Sequence, residues 1–288
     1  MSFQIFTDSS ANLFEDEVNR LGLKIVSLTL SINEDEVLCY GPGAPFDFDA
    51  FFKRMREDGT LVLKTSMINT SAFLAAFEPV LQAEMDVLCL TMSSGLSGTW
   101  SGGQKAADIL QKKYPEREIR VVDTLSATIG EGLLVREAVE MRNGGKTVSE
   151  IAAYIEQRKT QLRQFFMVDD LNFLRRGGRL SGSAALAGSI MHLKPILKGD
   201  EEGKIVLDRK LFGRKKALAT LVEVFSELHG ERTENRRFGV SHTGAEEEAH
   251  LLAAQIIDRY PGAGADIVPF EPCTASHVGP GAVGLFFF

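Results

Sequence analysis

Between Phe3 and Met141 short apolar runs alternate with helical patterns, and several of the runs end on small polar residues. The runs are Phe3 to Phe6, Lys24 to Ser31, Asp86 to Leu90 and Ile119 to Val122. Helical spacing of apolar residues follows at 13–21, with Asn12 expected as its cap, and at 47–57, 71–84, 104–114 and 126–141. Such alternation predicts a parallel sheet covered by helices on both faces. In sheets of that kind ligands bind beyond the carboxyl ends of the strands. Four segments are read as strand exits: Thr7-Asp8-Ser9-Ser10, Thr65-Ser66, Ser93 to Thr99, and Asp123-Thr124. They are expected to gather on one edge of one sheet.

The richest of these is Thr91 to Trp100, with three serines, two threonines and two glycines between a strand and a helix. A helix N-terminus offers unpaired N–H groups and partial positive charge, and small hydroxyl residues add donors without blocking approach. The turn therefore suits a carboxylate or phosphate. It equally suits an ordinary capped turn.

Beyond about residue 160 the pattern changes. Thr147-Val-Ser-Glu150 matches a capping box for a helix reaching about Arg163. Gln164 to Val168 and Lys194 to Lys198 read as strands. Gly199 to Lys204 reads as a hairpin turn, with Ile205 to Leu207 returning. Helices are expected at 184–193, 213–229 and 246–260, with strands at 238–241 and 265–270 and a last buried strand at Leu285 to Phe288. The expected fold is α/β: an N-terminal α/β/α domain with a parallel sheet (1–160) and a C-terminal α+β domain with a largely antiparallel sheet (161–288).

Several chemistries are excluded. Net charge is −7 and neither half is basic, which disfavours nucleic acid. Cys39, Cys89 and Cys273 form no CxxC, so no disulfide framework, zinc site or other metal site is expected, which fits a reducing cytoplasm. No basic leader precedes an apolar segment, and no apolar run is long enough to span a bilayer. Gly95-Leu-Ser97-Gly98 places its second glycine one position early for a nucleophile elbow. Gly145-Lys146-Thr147 lacks the leading glycine of a P-loop, because that position is Glu140. Gly279-Pro-Gly281-Ala-Val-Gly284 fits a dinucleotide fingerprint by spacing but follows no Rossmann strand. No cofactor is expected.

Two further residues can meet an anion. Arg179 follows Gly177-Gly178, where the backbone turns tightly, and a guanidinium forks onto carboxylate or phosphate. By spacing alone it reads as a solvated arginine beside Arg175 and Arg176. His277 lies before Gly279-Pro-Gly281 and can donate to an oxyanion, although a single loop histidine is more often structural. Arg214-Lys215-Lys216 opens a helix and reads as solvated, or else as a docking patch.

Taken in order, these segments resemble the DegV family of bacterial fatty-acid-binding proteins. The matching residues are Thr7 to Ser10, Thr65-Ser66, Ser93 to Thr99 and Asp123-Thr124. They continue with Asp169-Asp170-Leu171, Gly177 to Ser181, Gly213 to Ala217, and His277 to Gly281. The chain departs from the family at Met67-Ile68, where Gln-Pro is common. The resemblance implies a long-chain fatty acid in a tunnel between two domains, with its tail inside the second. It implies a binding subunit rather than an enzyme, one that presents the carboxylate to a separate ATP-binding kinase. The acyl phosphate formed there feeds phospholipid synthesis. By position it implies Thr65, Ser94, Ser97, Arg179 and His277 as carboxylate ligands, with Arg179 also docking the kinase. The residues alone leave a different class open: an acyl hydrolase or small-substrate phosphotransferase using the Ser93–Thr99 turn and His277.

Overall fold

The computed structural model describes residues 2–40, 46–181, 193–229 and 237–288. The expected helix at 184–193 therefore lies almost wholly outside the described residues. The chain folds as two compact units, Met1–Ala44 with Val62–Gln161, and Pro45–Leu61 with Leu162–Phe288.

The first unit runs β1 (Phe3–Asp8), α1 (Glu15–Leu21), β2 (Leu23–Val26), β3 (Thr29–Ile32) and β4 (Asp35–Leu38). Helix α2 (Phe48–Glu57) belongs to the second unit. The first unit resumes with β5 (Leu63–Ser66), α3 (Thr70–Gln82), β6 (Asp86–Thr91), α4 (Thr99–Lys113), β7 (Ile119–Asp123), α5 (Thr128–Asn143) and α6 (Val148–Arg158). Its main sheet is parallel, in the order β2-β1-β6-β7. Strand β6 is buried along its whole length, as a central strand covered on both faces must be.

Three local expectations are corrected here. Lys24 to Ser31 is two strands, not one: β2 joins the parallel sheet, and β3 joins a three-stranded antiparallel sheet in the order β4-β3-β5. The chain breaks at Ser27-Leu28 because other groups take its backbone bonds there. Leu28 N–H donates to Ser9 Oγ at 3.0 Å, and Leu28 C=O accepts from Cys39 N–H at 3.1 Å. The Thr65-Ser66 segment is accordingly not an exit of the parallel sheet. It forms β5, with Thr65 opposite Leu30 of β3. Asn12 does not cap α1. It sits in the left-handed region at φ 56°, ending the short turn Ser9–Ala11. The capping box does form, with Thr147 and Glu150 exchanging both bonds at the start of α6.

The second unit adds β8 (Arg163–Met167), α7 (Asn172–Arg176), β9 (Ile196–Gly199), β10 (Ile205–Arg209) and α8 (Arg214–His229). Then come β11 (Arg237–His242), α9 (Glu246–Arg259), β12 (Gly264–Pro269), α10 (Pro272–Val278) and β13 (Val283–Phe287). The six strands run β10-β9-β8-β13-β11-β12, antiparallel except for β11 with β12. Residues 45–61 differ from a division at residue 160, since α2 packs within this unit. Phe51, Phe52 and Met55 are buried, and Arg56 Nη2 donates to Gly244 C=O at 3.5 Å.

Side chains alternate across this sheet. Phe165, Met167, Val240, Val283, Leu285 and Phe287 share one core with α8 and α9. The opposite face carries Phe166, Leu197, Phe286 and Ser241, all buried, with Gly239 in β11 and Gly284 in β13.

Candidate functional site

In the first unit the exits of β1, β6 and β7 meet at one end of the parallel sheet. Asp8 is buried and accepts from Ser10 N–H at 2.9 Å and Met92 N–H at 2.8 Å. Burial raises its carboxyl above the ordinary range, against those hydrogen bonds. Buried Glu131 of α5 accepts from Thr7 Oγ1 at 2.8 Å and Ser10 Oγ at 2.5 Å. Thr7 to Ser10 is therefore spent on holding strand ends together. Cys89, in the middle of β6, is buried, and its thiol is pushed well up by that burial and by Asp8 and Glu131. It is a poor nucleophile in that state.

The serine turn is held from below by β7. Asp123 Oδ1 accepts from Ser94 N–H at 3.1 Å and Leu125 N–H at 3.0 Å, and Ser93 N–H donates to Ser126 C=O at 2.6 Å. These bonds leave the Ser94 side chain at the exposed surface. Ser97 Oγ lies 2.9 Å from Thr99 Oγ1 and accepts from Thr99 N–H at 3.3 Å. The Thr99 hydroxyl in turn accepts from Ile68 N–H at 3.3 Å. Met67 Sδ rests on Gly98, where a Cβ would collide with it. Thus the segment just after Thr65 is fastened to the turn carrying Ser94 and Ser97, although its strand belongs to a different sheet. Thr65 itself is half-buried.

In the second unit, α7 and α10 bring Arg179 and His277 together. Glu271 caps α10 by accepting from Thr274 N–H at 2.9 Å, which orients the helix that carries His277. The imidazole lies against the turn after α7, and a Cβ at Gly177 would strike its Nδ1. Arg179 folds back so that Nη1 donates to Gly177 C=O at 2.5 Å. Burial, and then the Arg179 charge, hold the His277 pKa down to about 4. At neutral pH the pair is a fixed cation beside a neutral imidazole. A helix over Pro272–Val278 has no counterpart in the sequence expectations; the Glu-Pro pair at its start is the signal for it.

Arg214 has a structural role. It forks onto Glu248 through Nε (2.6 Å to Oε1) and Nη2, and Nη1 donates to Asp169 Oδ1 at 2.9 Å and to Gly281 C=O at 2.7 Å. Sequence reasoning overlooked Glu131, and it placed Thr99, Asp123 and Gly177 within polar turns without their individual roles. Each serves as an anchor or seat for a neighbour, a role set by distant partners and not by local spacing. Among the described residues no helix is long and apolar enough to cross a membrane.

Comparison with known proteins places this architecture. Residues 2–288 match the model of the DegV family, described as an uncharacterised protein family. A DegV domain-containing protein of Lactococcus lactis is 34% identical over 99% of this chain and 97% of its own length. Among solved structures, a fatty-acid-binding DegV family protein from Thermus thermophilus is 28% identical with a TM-score of 0.89, covering 100% of this chain and 99% of its own. DegV of Bacillus subtilis, a fatty acid binding protein, is 28% identical with a TM-score of 0.85 over 100% of this chain and 99% of its own.

Proposed function

Because the chain belongs to the DegV family, we propose that it binds a long-chain fatty acid and presents the carboxylate to a separate ATP-dependent kinase for acyl-phosphate formation. The observation that carries the reading is the end-to-end likeness to the fatty-acid-binding proteins of Thermus thermophilus and Bacillus subtilis.

Thr65, Ser94, Ser97, Arg179 and His277 are the proposed carboxylate ligands. The hydroxyls and the neutral imidazole donate, and Arg179 supplies the opposite charge. The tail belongs in the second unit. One face of its sheet is filled by α8 and α9. The other carries Phe166, Leu197 and Phe286 beside Gly239 of β11 and Gly284 of β13, and this apolar face is the proposed side for the tail. Burying 14 or so methylenes contributes about 11 kcal/mol gross, reduced substantially by the cost of association. The tail then supplies affinity and the polar groups fix the head. Phosphoryl transfer depends mainly on position and charge, so a fixed head suits an acceptor delivered to a kinase. Arg179 is proposed to contact that kinase as well, and the product to enter phospholipid synthesis in the cytoplasm.

A stand-alone hydrolase has less support. Ser97 Oγ is paired with the Thr99 hydroxyl and not with a base. An imidazole held near 4 is a weak general base at neutral pH. Native mass spectrometry of freshly purified protein, followed by lipid identification, tests the proposal. One fatty acid per chain is expected. A mass that stays unshifted after incubation with mixed fatty acids would overturn it.

A further inference from the structure

Helix α6 starts at the capping box of Thr147 and is closed by Lys159, and the Lys159 side chain reaches toward the serine turn through one intermediary. Lys159 Nζ donates to Asp123 C=O at 2.8 Å, at the end of β7. The Asp123 carboxylate in turn accepts from Ser94 N–H at 3.1 Å and from Leu125 N–H at 3.0 Å. Asp123 is therefore held at its carbonyl by Lys159 and holds the turn with its carboxylate. Lys159 also pairs with Glu156 one turn back on its own helix, at 2.5 Å. That pair does not require burial, since the Glu156 side chain is 51% exposed, yet the Lys159 side chain is only 11% exposed. The bond to Asp123 accounts for the inward position of the ammonium.

The charges at this edge have to be balanced. The serine turn is proposed above to take a carboxylate, and the group that grips it from below is itself a carboxylate. Asp123 is buried, so water screens it poorly. A second negative charge brought to Ser94 and Ser97 is repelled by it. An asparagine could accept from the same two N–H groups without that repulsion. The chain instead keeps the acid and sets an ammonium against its carbonyl. The two bonds, of 2.8 and 3.1 Å, and the one residue between them place Nζ within about 10 Å of Ser94 N. At that range, away from bulk water, a unit charge changes the affinity for an anion by about tenfold.

We infer that Lys159 is a positioning residue of the head site: it fixes Asp123 under the serine turn and offsets the Asp123 charge, so that the turn accepts an anion. The inference rests on the fatty-acid reading given above. Lys159 acts through Asp123 and not by touching the ligand. Glu156 draws on the same ammonium from the solvent side, where its own charge is screened. The preference for a carboxylate head over an uncharged one then depends on a residue the ligand does not meet.

The test measures displacement of a fluorescent fatty acid from the full-length protein by oleic acid and by oleyl alcohol, which share a tail and differ in head charge. Wild type should prefer the acid. Lys159→Met keeps an unbranched apolar stem and removes the ammonium. It should lower the affinity for the acid about tenfold and that for the alcohol much less. Lys159→Arg, which keeps a charge and a donor, should retain the preference of wild type. A purely structural role would weaken both ligands alike. No preference in wild type, equal losses for the two ligands, or full affinity for the acid in Lys159→Met overturns the inference and leaves the fatty-acid reading standing. A wild-type protein that binds neither the fluorescent acid nor oleic acid overturns both.

Discussion

Ile68 donates its backbone N–H to Thr99 Oγ1, and that bond joins two sheets that share no strand. Ile68 follows β5 of the antiparallel sheet, and Thr99 opens the helix after β6 of the parallel one. The same hydroxyl contacts Ser97, so the position of one proposed ligand depends on the segment that follows another. Thr99→Val keeps the shape and removes the acceptor. The buried Ile68 N–H then lacks its partner, at a cost of about 1–3 kcal/mol. Chemical denaturation should register that loss, and titration with a long-chain fatty acid should show weaker binding than in wild type.

Gly177→Ala isolates the seat of His277. The backbone at Gly177, φ −72°, accepts alanine without strain, so the methyl acts by its collision with the imidazole. Fatty-acid affinity should fall by about tenfold or more, as expected when one ligand group is displaced. The denaturation midpoint should also fall, by the equivalent of about 1–3 kcal/mol, so affinity is read where the variant is fully folded. Unchanged affinity would remove His277 from the head-binding group.

The same histidine gives a pH dependence with a fixed sign. An unfolded histidine titrates near 6.5, and His277 in the folded chain is held to about 4. Between these values the unfolded chain binds a proton that the folded chain does not, so acid favours unfolding. This contribution is fully present above about pH 6.5 and is lost as pH falls toward 4, amounting to roughly 3 kcal/mol. Urea denaturation at pH 7 and pH 4.5 should show a smaller drop for His277→Gln than for wild type. A bound carboxylate reverses the local balance by favouring imidazolium. Fatty-acid binding near pH 5 should therefore take up protons, which calorimetry in buffers of different ionisation enthalpy measures.

Arg214→Met tests the network under the second unit. It removes the fork to Glu248 and the bond to Asp169, leaving two carboxylates without their shared cation. A loss of about 1–3 kcal/mol is expected for charge-assisted bonds lost among partly exposed groups, Asp169 keeping its pair with Lys194. Glu248 and Asp169 keep some access to water, so the lower end applies. Thermal denaturation reads it.

Much of this was legible in the chain. The parallel sheet followed from Val87 to Leu90 and its counterparts, since a doubly covered strand must be apolar throughout. The capping box at Thr147 and Glu150 was legible because both partners lie within one helical turn. The break at Ser27-Leu28 was not, because the Ser9 hydroxyl that satisfies it lies 19 residues away. For the same reason Thr65 was assigned to the wrong sheet: local composition marks a strand end, and pairing with Leu30 decides which sheet it leaves. Asp123 was visible as part of a polar strand exit. Its grip on Ser94 N–H was not, since a backbone donor carries no residue type.

Helix α2 is made early in synthesis, yet it packs in a unit whose other residues begin at Leu162. Its contact at Arg56 and Gly244 spans 188 residues. At translation rates of 5–20 residues per second this separation corresponds to roughly 10–40 s. During that time the apolar face of Phe51, Phe52 and Met55 has only its neighbours Phe46 and Phe48 to pack on, and not the residues of its unit beyond Leu162. The second unit is therefore assembled from an early segment and the youngest part of the nascent chain, and a fragment cut at Leu162 begins folding without one of its own helices.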